Sequence, residues 1–377
     1  MITKIINGKI INDGITEGKS LYIKDGVILD LTEYDLPADN VIDAENNFVS
    51  AGFIDIHNHG GGGHSVKEGA EATIKAAKLH YKHGTTTIFP TTSACSHDDL
   101  KFALEGIRTV MDAKDTDIPH IYGAHLEAPY FAPSQRGAQN PEYITNPIEK
   151  DYQEIINLFG GIIRRWSFAP ELPGTEKFCK TLTENNIIPA IAHSDALYED
   201  VAKIYDCGCK LVTHLYSGTS MVTRKDAYRY LGVVESAYLI DDMAVEVIAD
   251  GHHLPAELLR LIYKIKGPDK ICIVTDASSG AGLADGEQPA GAKYIIENGV
   301  AILPDRSSFA GSVATADREI RVMVKDAGID ISDAVKMMTE TPARVMNIPK
   351  KGRLIPGYDA DIVIFDDNIN IKKVIRR

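Results

Sequence analysis

Cysteine and positive charge are both scarce in this chain. Its 377 residues hold 5 cysteines, an odd and scattered set, which argues against a disulfide framework and favours a reducing compartment. Lys+Arg number 40 against Asp+Glu 53, a formal net charge of -13. That balance argues against nucleic acid or an anionic membrane as the main partner, because phosphate-rich surfaces select basic proteins.

Long apolar stretches are missing as well. No run approaches the roughly 20 residues that span a bilayer, and the first residues lack the apolar core of a signal peptide. We therefore expect a cytoplasmic protein that does not enter a membrane. The length exceeds the roughly 100–200 residues of one ordinary domain, which predicts either one large barrel or two domains.

Both ends of the chain carry β-type patterns. In residues 1–50, short apolar runs are separated by turn signals that predict tight hairpins, at Asn7-Gly8, Asp13-Gly14 and Asp25-Gly26. Another β-type run lies near the carboxyl end, from Asp361 to Phe365. Neither end has enough strands to bury a core alone. We therefore predict one small β-sandwich domain built from residues 1–50 and 350–377.

The middle of the chain alternates between β-rich and helical patterns. Eight apolar segments end in polar or glycine-rich loops, and they begin at Phe53, Thr85, His120, Ile162, Ile187, Lys210, Val245 and Ile271. Helical-period runs follow most of them, so the pattern predicts an α/β fold, a TIM-type (β/α)₈ barrel over residues 51–349. The segment Leu283–Phe309 is interpreted as a hairpin inserted after the eighth strand.

Ionisable residues cluster at the predicted carboxyl ends of these strands, where barrel enzymes carry their chemistry. They are His57, His59, Glu127, His193, His214, His253 and Asp276. Imidazole and carboxylate together suit Zn²⁺, Fe²⁺ or a similar divalent ion. Taken singly, each has a structural explanation, such as a helix cap for Glu127 or Asp276. Their convergence favours one shared site. The remaining histidines are interpreted as structural: His64, His80, His83, His97, His120 and His125.

Several motifs resemble a known family. GFIDIHNHG is similar to the first-strand signature of the amidohydrolase superfamily, and GYDADIVIFD to its closing strand. Within it, HLEAPYFAPSQRGAQNP, AHSDA, THLYSGTS, IADGHHLP, VTDASSGAGLADGE and FAGS resemble, in order and spacing, the N-acetylglucosamine-6-phosphate deacetylases. The resemblance covers nearly the whole chain. It implies metal-dependent hydrolysis of the acetamide of N-acetyl-D-glucosamine 6-phosphate to D-glucosamine 6-phosphate and acetate, in amino-sugar catabolism.

The resemblance also implies roles for single residues. Glu127, His193 and His214 would hold one divalent ion, Zn²⁺ or Fe²⁺, and His57 and His59 would allow a second. Asp276 would be both a metal residue and the general base, then general acid, and His253 would contact the substrate near the scissile carbonyl. The sugar site would be lined by Ala138, Gln139, Ser217, Gly218, Phe309, Ala310 and Gly311. Arg224 would reach the phosphate, often from the neighbouring subunit, which implies a homodimer or possibly a tetramer.

The chain departs from the family pattern near the predicted phosphate end. Ser217-Gly218 replaces the usual Asn-Ala, Ala128 replaces Gly, and His252 replaces an apolar residue. These differences leave a second interpretation, a deacetylase that acts on a different N-acetylated sugar. A cyclic-amide hydrolase of the same superfamily is disfavoured, because such enzymes usually carry a metal-bridging lysine after the fourth strand and this strand ends in WSFAPE. A barrel without enzymatic activity is also disfavoured, because the chain retains every expected metal ligand. The acidic chain would need a local cationic pocket, for which Arg224, Lys225 and His252 are candidates.

Overall fold

Strands form at both ends of the chain and throughout its middle, in a computed structural model that describes residues 1–376. The first seven are β1 (Ile2–Ile6), β2 (Lys9–Asn12), β3 (Gly14–Thr16), β4 (Ser20–Lys24), β5 (Val27–Thr32), β6 (Asn40–Asp43) and β7 (Phe48–Ala51). The middle of the chain holds β8 (Phe53–Asn58), β9 (Gly60–Gly61), β10 (His64–Ser65), β11 (Thr85–Thr92), β12 (His120–Ile121), β13 (Ala124–Glu127), β14 (Ile163–Phe168), β15 (Ile188–Ile191), β16 (Leu211–Val212), β17 (Thr223–Lys225), β18 (Tyr228–Tyr230), β19 (Ala244–Val247), β20 (Ile271–Ile273), β21 (Ile295–Glu297) and β22 (Val300–Ile302). Two more strands follow near the carboxyl end, β23 (Ile362–Phe365) and β24 (Ile371–Ile375).

Helices alternate with the middle strands. They are α1 (Ala70–Lys82), α2 (His97–Ala113), α3 (Glu149–Phe159), α4 (Thr175–Glu184), α5 (Tyr198–Tyr205), α6 (Val233–Leu239), α7 (Ala256–Lys266), α8 (Ala316–Arg321), α9 (Ile331–Lys336) and α10 (Glu340–Val345). A π-helical turn, Val322–Asp326, continues α8, and short 3₁₀ turns occupy Val66–Glu68, Pro133–Gln135 and Pro141–Tyr143. Among residues 1–376, no helix has the length and apolar character needed to cross a membrane.

The middle strands form a nearly closed parallel barrel. β8 pairs with β11, and the order then runs through β13, β14, β15, β16, β19 and β20. The last and first strands meet just beyond β20, where the Asp276 N–H donates to His57 O at 3.0 Å and the His59 N–H donates to Ala277 O at 2.8 Å. All residues of β8 and β11 are buried, as expected for parallel strands covered on both faces. The predicted (β/α)₈ barrel is confirmed.

The two chain ends share a small β-sandwich. One sheet has the order β5-β4-β1-β6, and the other has the order β24-β23-β7-β2-β3. Their facing side chains form one apolar core that includes Ile5, Leu21, Val49 and Ile362. The sandwich predicted from both termini is therefore present. Residue 377, the end of the predicted 350–377 segment, lies outside the described residues.

The turn predictions were right at two of three positions. Asp13-Gly14 connects the antiparallel pair β2–β3, and Asp25-Gly26 connects the pair β4–β5. The hairpin predicted at Asn7-Gly8 is wrong, because β1 pairs with β4 and β6 in one sheet while β2 pairs with β3 and β7 in the other. Asn7 does adopt positive φ (53°), but the turn moves the chain between sheets. The predicted insertion after the eighth strand contains the hairpin β21–β22.

Candidate metal centre and active site

Six of the predicted strand-end residues meet at the carboxyl end of the barrel. They form two groups whose potential ligand atoms lie within 4.8 Å of one another: His57, His59 and Asp276 in one, and Glu127, His193 and His214 in the other. Parallel pairing explains the convergence, since each residue ends a barrel strand or follows one, and these strand ends share one rim.

Glu127 lies between the two groups. Its Oε1 is 2.8 Å from His214 Nε2, 3.1 Å from His193 Nε2 and 3.6 Å from His57 Nε2. Its Oε2 is 3.3 Å from His59 Nε2. Both carboxylate oxygens are thus directed at imidazole nitrogens, which places Glu127 where one carboxylate could serve two neighbouring cations.

Asp276 completes the second group. Its Oδ1 lies 3.2 Å from His59 Nε2 and 3.4 Å from His57 Nε2, and these two nitrogens are 3.2 Å apart. The aspartate is almost completely buried. It therefore faces the same small space as the Nε2 atoms of the histidine pair.

Hydrogen bonds on the opposite side of the rings fix the imidazole tautomers. His193 Nδ1–H donates to Gln135 O at 2.7 Å, His59 Nδ1–H donates to Thr91 O at 3.0 Å, and His57 Nδ1–H donates to a carboxylate oxygen of Glu246 at 3.2 Å. An acceptor at Nδ1 leaves the Nε2 lone pair free toward the centre, which is the arrangement of metal-bound histidines. His214 Nδ1 is buried and has no hydrogen-bond partner within residues 1–376.

The backbone is strained where these ligands project into the site. His193, His214 and Asp276 adopt positive φ values of 46°, 29° and 45°, a region that non-glycine residues rarely occupy. Such strain persists where the surrounding structure imposes it, and it concentrates at functional sites. Ala128, where the family has glycine, has φ of 123°, and its carbonyl accepts a hydrogen bond from Trp166 Nε1 at 2.9 Å.

The cluster holds protons in the absence of a cation. Burial opposes the charged form of His59, but Asp276 and Glu127 outweigh it and raise the pKa of His59 to about 10. Burial likewise opposes ionisation of Asp276, yet His57 and His59 lower its pKa to about 2. The neighbouring imidazoles also hold the pKa of Glu127 well below its usual range. A proton on His59 and a divalent ion would therefore compete for the same imidazole lone pair.

The donor set fits a divalent first-row ion. Buried imidazole nitrogens with fixed tautomers and carboxylate oxygens are the ligands that Zn²⁺ and Fe²⁺ share, and they do not choose between the two ions. The cofactor prediction is therefore supported as a divalent metal site.

His253 packs against Phe309 and is held in a defined orientation. Asp250 Oδ2 accepts from His253 Nδ1–H at 2.8 Å, and Asp250 Oδ1 accepts the backbone N–H groups of His252 and His253 at 2.9 and 2.8 Å. The His253 ring lies 4.8 Å from the ring of Phe309. The free Nε2 of His253 is therefore positioned by a buried carboxylate on one side and an aromatic ring on the other.

Two of the predicted sugar-site residues lie against the candidate metal ligands. Gln139 Nε2 donates to Glu127 Oε2 at 2.7 Å, while its Oε1 accepts the Ala94 N–H at 2.8 Å. Gly218 has φ of 60°, and a Cβ at this position would lie 2.8 Å from both His193 Nδ1 and Gln135 O. The departure from the family's Ala at this position therefore has a packing reason.

The FAGS segment lies next to Asp276. A Cβ on Gly311 would lie 2.7 Å from Asp276 O, and the same carbonyl accepts the Ser312 N–H at 2.8 Å. Ala310 N–H donates to Ala301 O at 3.0 Å and ties this segment to the inserted hairpin. Of the two other predicted lining residues, Ala138 is exposed and Ser217 is partly buried, and the Ser217 N–H donates to His214 O at 2.9 Å.

The predicted phosphate residues lie elsewhere. Arg224 and Lys225 are exposed on the β17–β18 hairpin, where Arg224 is opposite Arg229. His252 lies beside the inserted hairpin, with its Nε2 3.6 Å from the position of a Cβ on Gly299.

Three buried residues around the ligands were not identified from sequence: Asp250, Glu246 and Arg165. Glu246 stands in the otherwise apolar β-type run VEVIA, and Arg165 stands beside a second arginine in the β-type run IIRRW. A charge at a fully buried strand position requires a partner, and that was the available signal.

A candidate metal-binding cluster at the carboxyl end of a (β/α)₈ barrel, with a β-sandwich beside it, is the arrangement of metal-dependent hydrolases of the amidohydrolase type. The family model described as the amidohydrolase family matches residues 48–377. The chain belongs to the amidohydrolase family.

Individual relatives are similar over nearly their whole length. N-acetylglucosamine-6-phosphate deacetylase of Lysinibacillus sphaericus is 29% identical over 99% of this chain and 96% of the relative. N-acetylgalactosamine-6-phosphate deacetylase of Shewanella sp. (strain ANA-3) is 28% identical over 97% of this chain and 92% of the relative. The crystal structure of N-acetylglucosamine-6-phosphate deacetylase from Pasteurella multocida has a TM-score of 0.92 and 25% identity, covering 100% of this chain and 98% of that one.

Proposed function

We propose that this protein hydrolyses the acetamide of N-acetyl-D-glucosamine 6-phosphate, releasing D-glucosamine 6-phosphate and acetate in amino-sugar catabolism. The observation that carries the proposal is the joint arrangement of Glu127, His193 and His214 beside His57, His59 and Asp276. Similarity to named deacetylases along nearly the entire chain supports the same reaction.

Glu127, His193 and His214 would hold one divalent ion, and His57 and His59, with Asp276 beside them, a second. Such an ion supplies Lewis-acid polarisation of a carbonyl and lowers the pKa of a water molecule bound to it. The protein's contribution is to present Nε2 of each histidine and to exclude bulk water, since these side chains are mostly buried. Zn²⁺ and Fe²⁺ both suit this donor set.

Asp276 would move the proton. Its carboxylate is ionised at neutral pH, because His57 and His59 overcome the opposing effect of burial and lower its pKa to about 2. It accepts a proton from the attacking water as the water oxygen bonds to the carbonyl carbon. It then donates that proton to the amide nitrogen as the carbon–nitrogen bond breaks, so that the amine leaves and acetate remains.

His253 would stabilise the charge that develops on the carbonyl oxygen. Asp250 holds its Nδ1–H at 2.8 Å and so orients the opposite nitrogen, Nε2. The Nε2 edge of the ring would then face the carbonyl oxygen, where stabilisation of developing charge strengthens in the transition state. Gln139, bonded to Glu127, and the segment Phe309–Gly311 would line the sugar, together with Ala138, Ser217 and Gly218.

We further propose a cytoplasmic homodimer in which Arg224 reaches the substrate phosphate across subunits. The exposure of the β17–β18 hairpin in one chain supports this arrangement. Residues 51–349 would form the hydrolase domain, and residues 1–50 with 350–377 the second domain. Light scattering tests the assembly, and a fully active monomer would exclude a role for Arg224 across subunits.

The substrate is tested by acetate release from N-acetylglucosamine 6-phosphate and from unphosphorylated N-acetylglucosamine. We expect turnover of the phosphorylated sugar and a large loss of kcat/KM without the phosphate. No turnover of the phosphorylated sugar, together with turnover of another N-acetylated sugar, would overturn the substrate and keep the class of reaction.

N-acetylgalactosamine 6-phosphate is a second candidate substrate. The Shewanella relative named for that sugar matches this chain at 28% identity, close to the 29% of the Lysinibacillus relative. A higher kcat/KM for the galactosamine compound in the same assay would select it.

A further inference from the structure

A fully buried pair of opposite charges lies beneath the histidine cluster. Glu246 on β19 and Arg165 on β14 are both completely inaccessible to solvent, and an Arg165 guanidinium N–H donates to Glu246 Oε1. Placing two charges inside a barrel is costly unless each is well paired. Neither group belongs to the proposed ligand set, so their burial needs another explanation.

Glu246 is bonded to two of the ligand-bearing residues. Its Oε2 accepts from His57 Nδ1–H at 3.2 Å and from the His214 N–H at 3.3 Å. Arg165 occupies the other carboxylate oxygen and also donates to Thr213 Oγ1 at 2.6 Å. Hydrogen bonds therefore orient both carboxylate oxygens of Glu246, and Oε2 is directed at the His57 ring.

The hydrogen bonding continues across the barrel interior. Thr213 Oγ1 lies 3.1 Å from Ser167 Oγ, which lies 2.7 Å from His125 Nε2. His125 packs edge-on against His57, with ring centroids 4.6 Å apart, and its Nδ1 is 3.2 Å from Thr91 Oγ1. The His57 ring thus lies against a layer of hydrogen-bonded polar side chains inside the barrel.

We propose that Glu246 is a positioning residue that fixes the tautomer and orientation of His57 and thereby creates the second cation site. Accepting the Nδ1 proton leaves His57 Nε2 as the ligand atom toward His59 and Asp276. Arg165 keeps Glu246 charged in the barrel interior. The inference rests on the metal centre proposed above, and it extends to a residue that would touch neither ion nor substrate.

The test is metal binding in the absence of sugar, by chelator competition with Zn²⁺. We expect wild-type protein to bind two ions and Glu246→Gln to lose roughly 10- to 100-fold in affinity for the second, because partners behind a ligand contribute about that much. The ion at Glu127, His193 and His214 should keep its affinity. In ¹⁵N NMR, the His57 Nδ1–H resonance of zinc-loaded protein should shift in the variant, because an amide oxygen is a weaker acceptor than a carboxylate.

Glu319→Gln is the matched control. Glu319 is as completely buried as Glu246, and its Oε2 accepts the Ala249 N–H. Burial raises the pKa of Glu319 well above its usual range, so the substitution replaces a neutral carboxylic acid with a neutral amide. This variant should bind both ions like wild type. If Glu246→Gln fails to fold with Arg165 unpaired, the double variant Glu246→Gln with Arg165→Met removes both charges and should show the same selective loss.

Three results would overturn the proposal: wild-type affinity for both ions in the folded Glu246 variant, an equal loss at both sites, or a wild-type protein that saturates at one ion. Failure of the proposed function is a separate result. A protein that binds two ions with the expected Glu246 dependence but releases no acetate would leave this inference standing.

Discussion

Replacing Asp276 with asparagine is the sharpest perturbation of the proposed chemistry. The change keeps the size of the side chain and removes its negative charge, and with it the ability to accept a proton. The backbone should stay in place, since the Asp276 N–H donates to His57 O at 3.0 Å and its carbonyl accepts the Ser312 N–H at 2.8 Å. A loss of turnover with the ion at Glu127, His193 and His214 retained would therefore be assigned to proton transfer and not to a displaced backbone.

General acid–base catalysis contributes about 10²–10⁴-fold, which corresponds to roughly 3–5 kcal/mol in the activation free energy. Because Asp276 would act in both proton transfers, we expect kcat to fall toward the upper end of that range. The assay is acetate release under saturating substrate, with metal content measured on the same sample. The ion at Glu127, His193 and His214 should be retained. Near-normal turnover by the variant would refute the assignment.

Three further predictions concern the metal site and the core. Gly218→Ala should weaken binding of the first ion in a Zn²⁺ titration, because the new Cβ would lie 2.8 Å from the His193 imidazole. The control is Gly286→Ala, which is also at positive φ but has no atom within 4 Å of the new Cβ, and it should bind Zn²⁺ normally. Phe178→Ala should lower the free energy of unfolding by about 3–5 kcal/mol in a denaturant titration, whereas Phe102→Ala, at an exposed position, should change it little. Metal-free protein should lose stability as pH rises from 6.5 toward 10, because the folded-state pKa of His59 is raised to about 10 from 6.5 and its contribution is complete only below the lower value. An unchanged melting temperature across that range would contradict the pKa assignment, and zinc-loaded protein should not show this loss.

The barrel was predictable because its signals are local. Each strand is a short apolar run that ends in a polar loop, and parallel pairing then brings all strand ends to one rim. That topology alone was enough to predict that the strand-end residues would meet in one site: His57, Glu127, His193, His214 and Asp276. The hairpin prediction at Asn7-Gly8 was wrong because a local turn signal does not determine which sheet the next strand joins.

The polar layer beneath the site was not predictable in the same way. Arg165 and Glu246 are 81 residues apart, and no local pattern assigns one charge to the other. The packing reason for Gly218 also depends on contact with His193, a ligand on a different strand end. Such features arise from side chains that meet only after the barrel closes.

The central claim is that this barrel is a metal-dependent deacetylase of a phosphorylated N-acetyl sugar. The most direct measurement is acetate release from N-acetylglucosamine 6-phosphate by chelator-treated protein before and after Zn²⁺ or Fe²⁺ is restored. We predict no turnover by the metal-free protein and recovery of turnover with one or two ions per chain. Undiminished turnover without metal, or none after full reloading on either phosphorylated N-acetylhexosamine, would contradict the account.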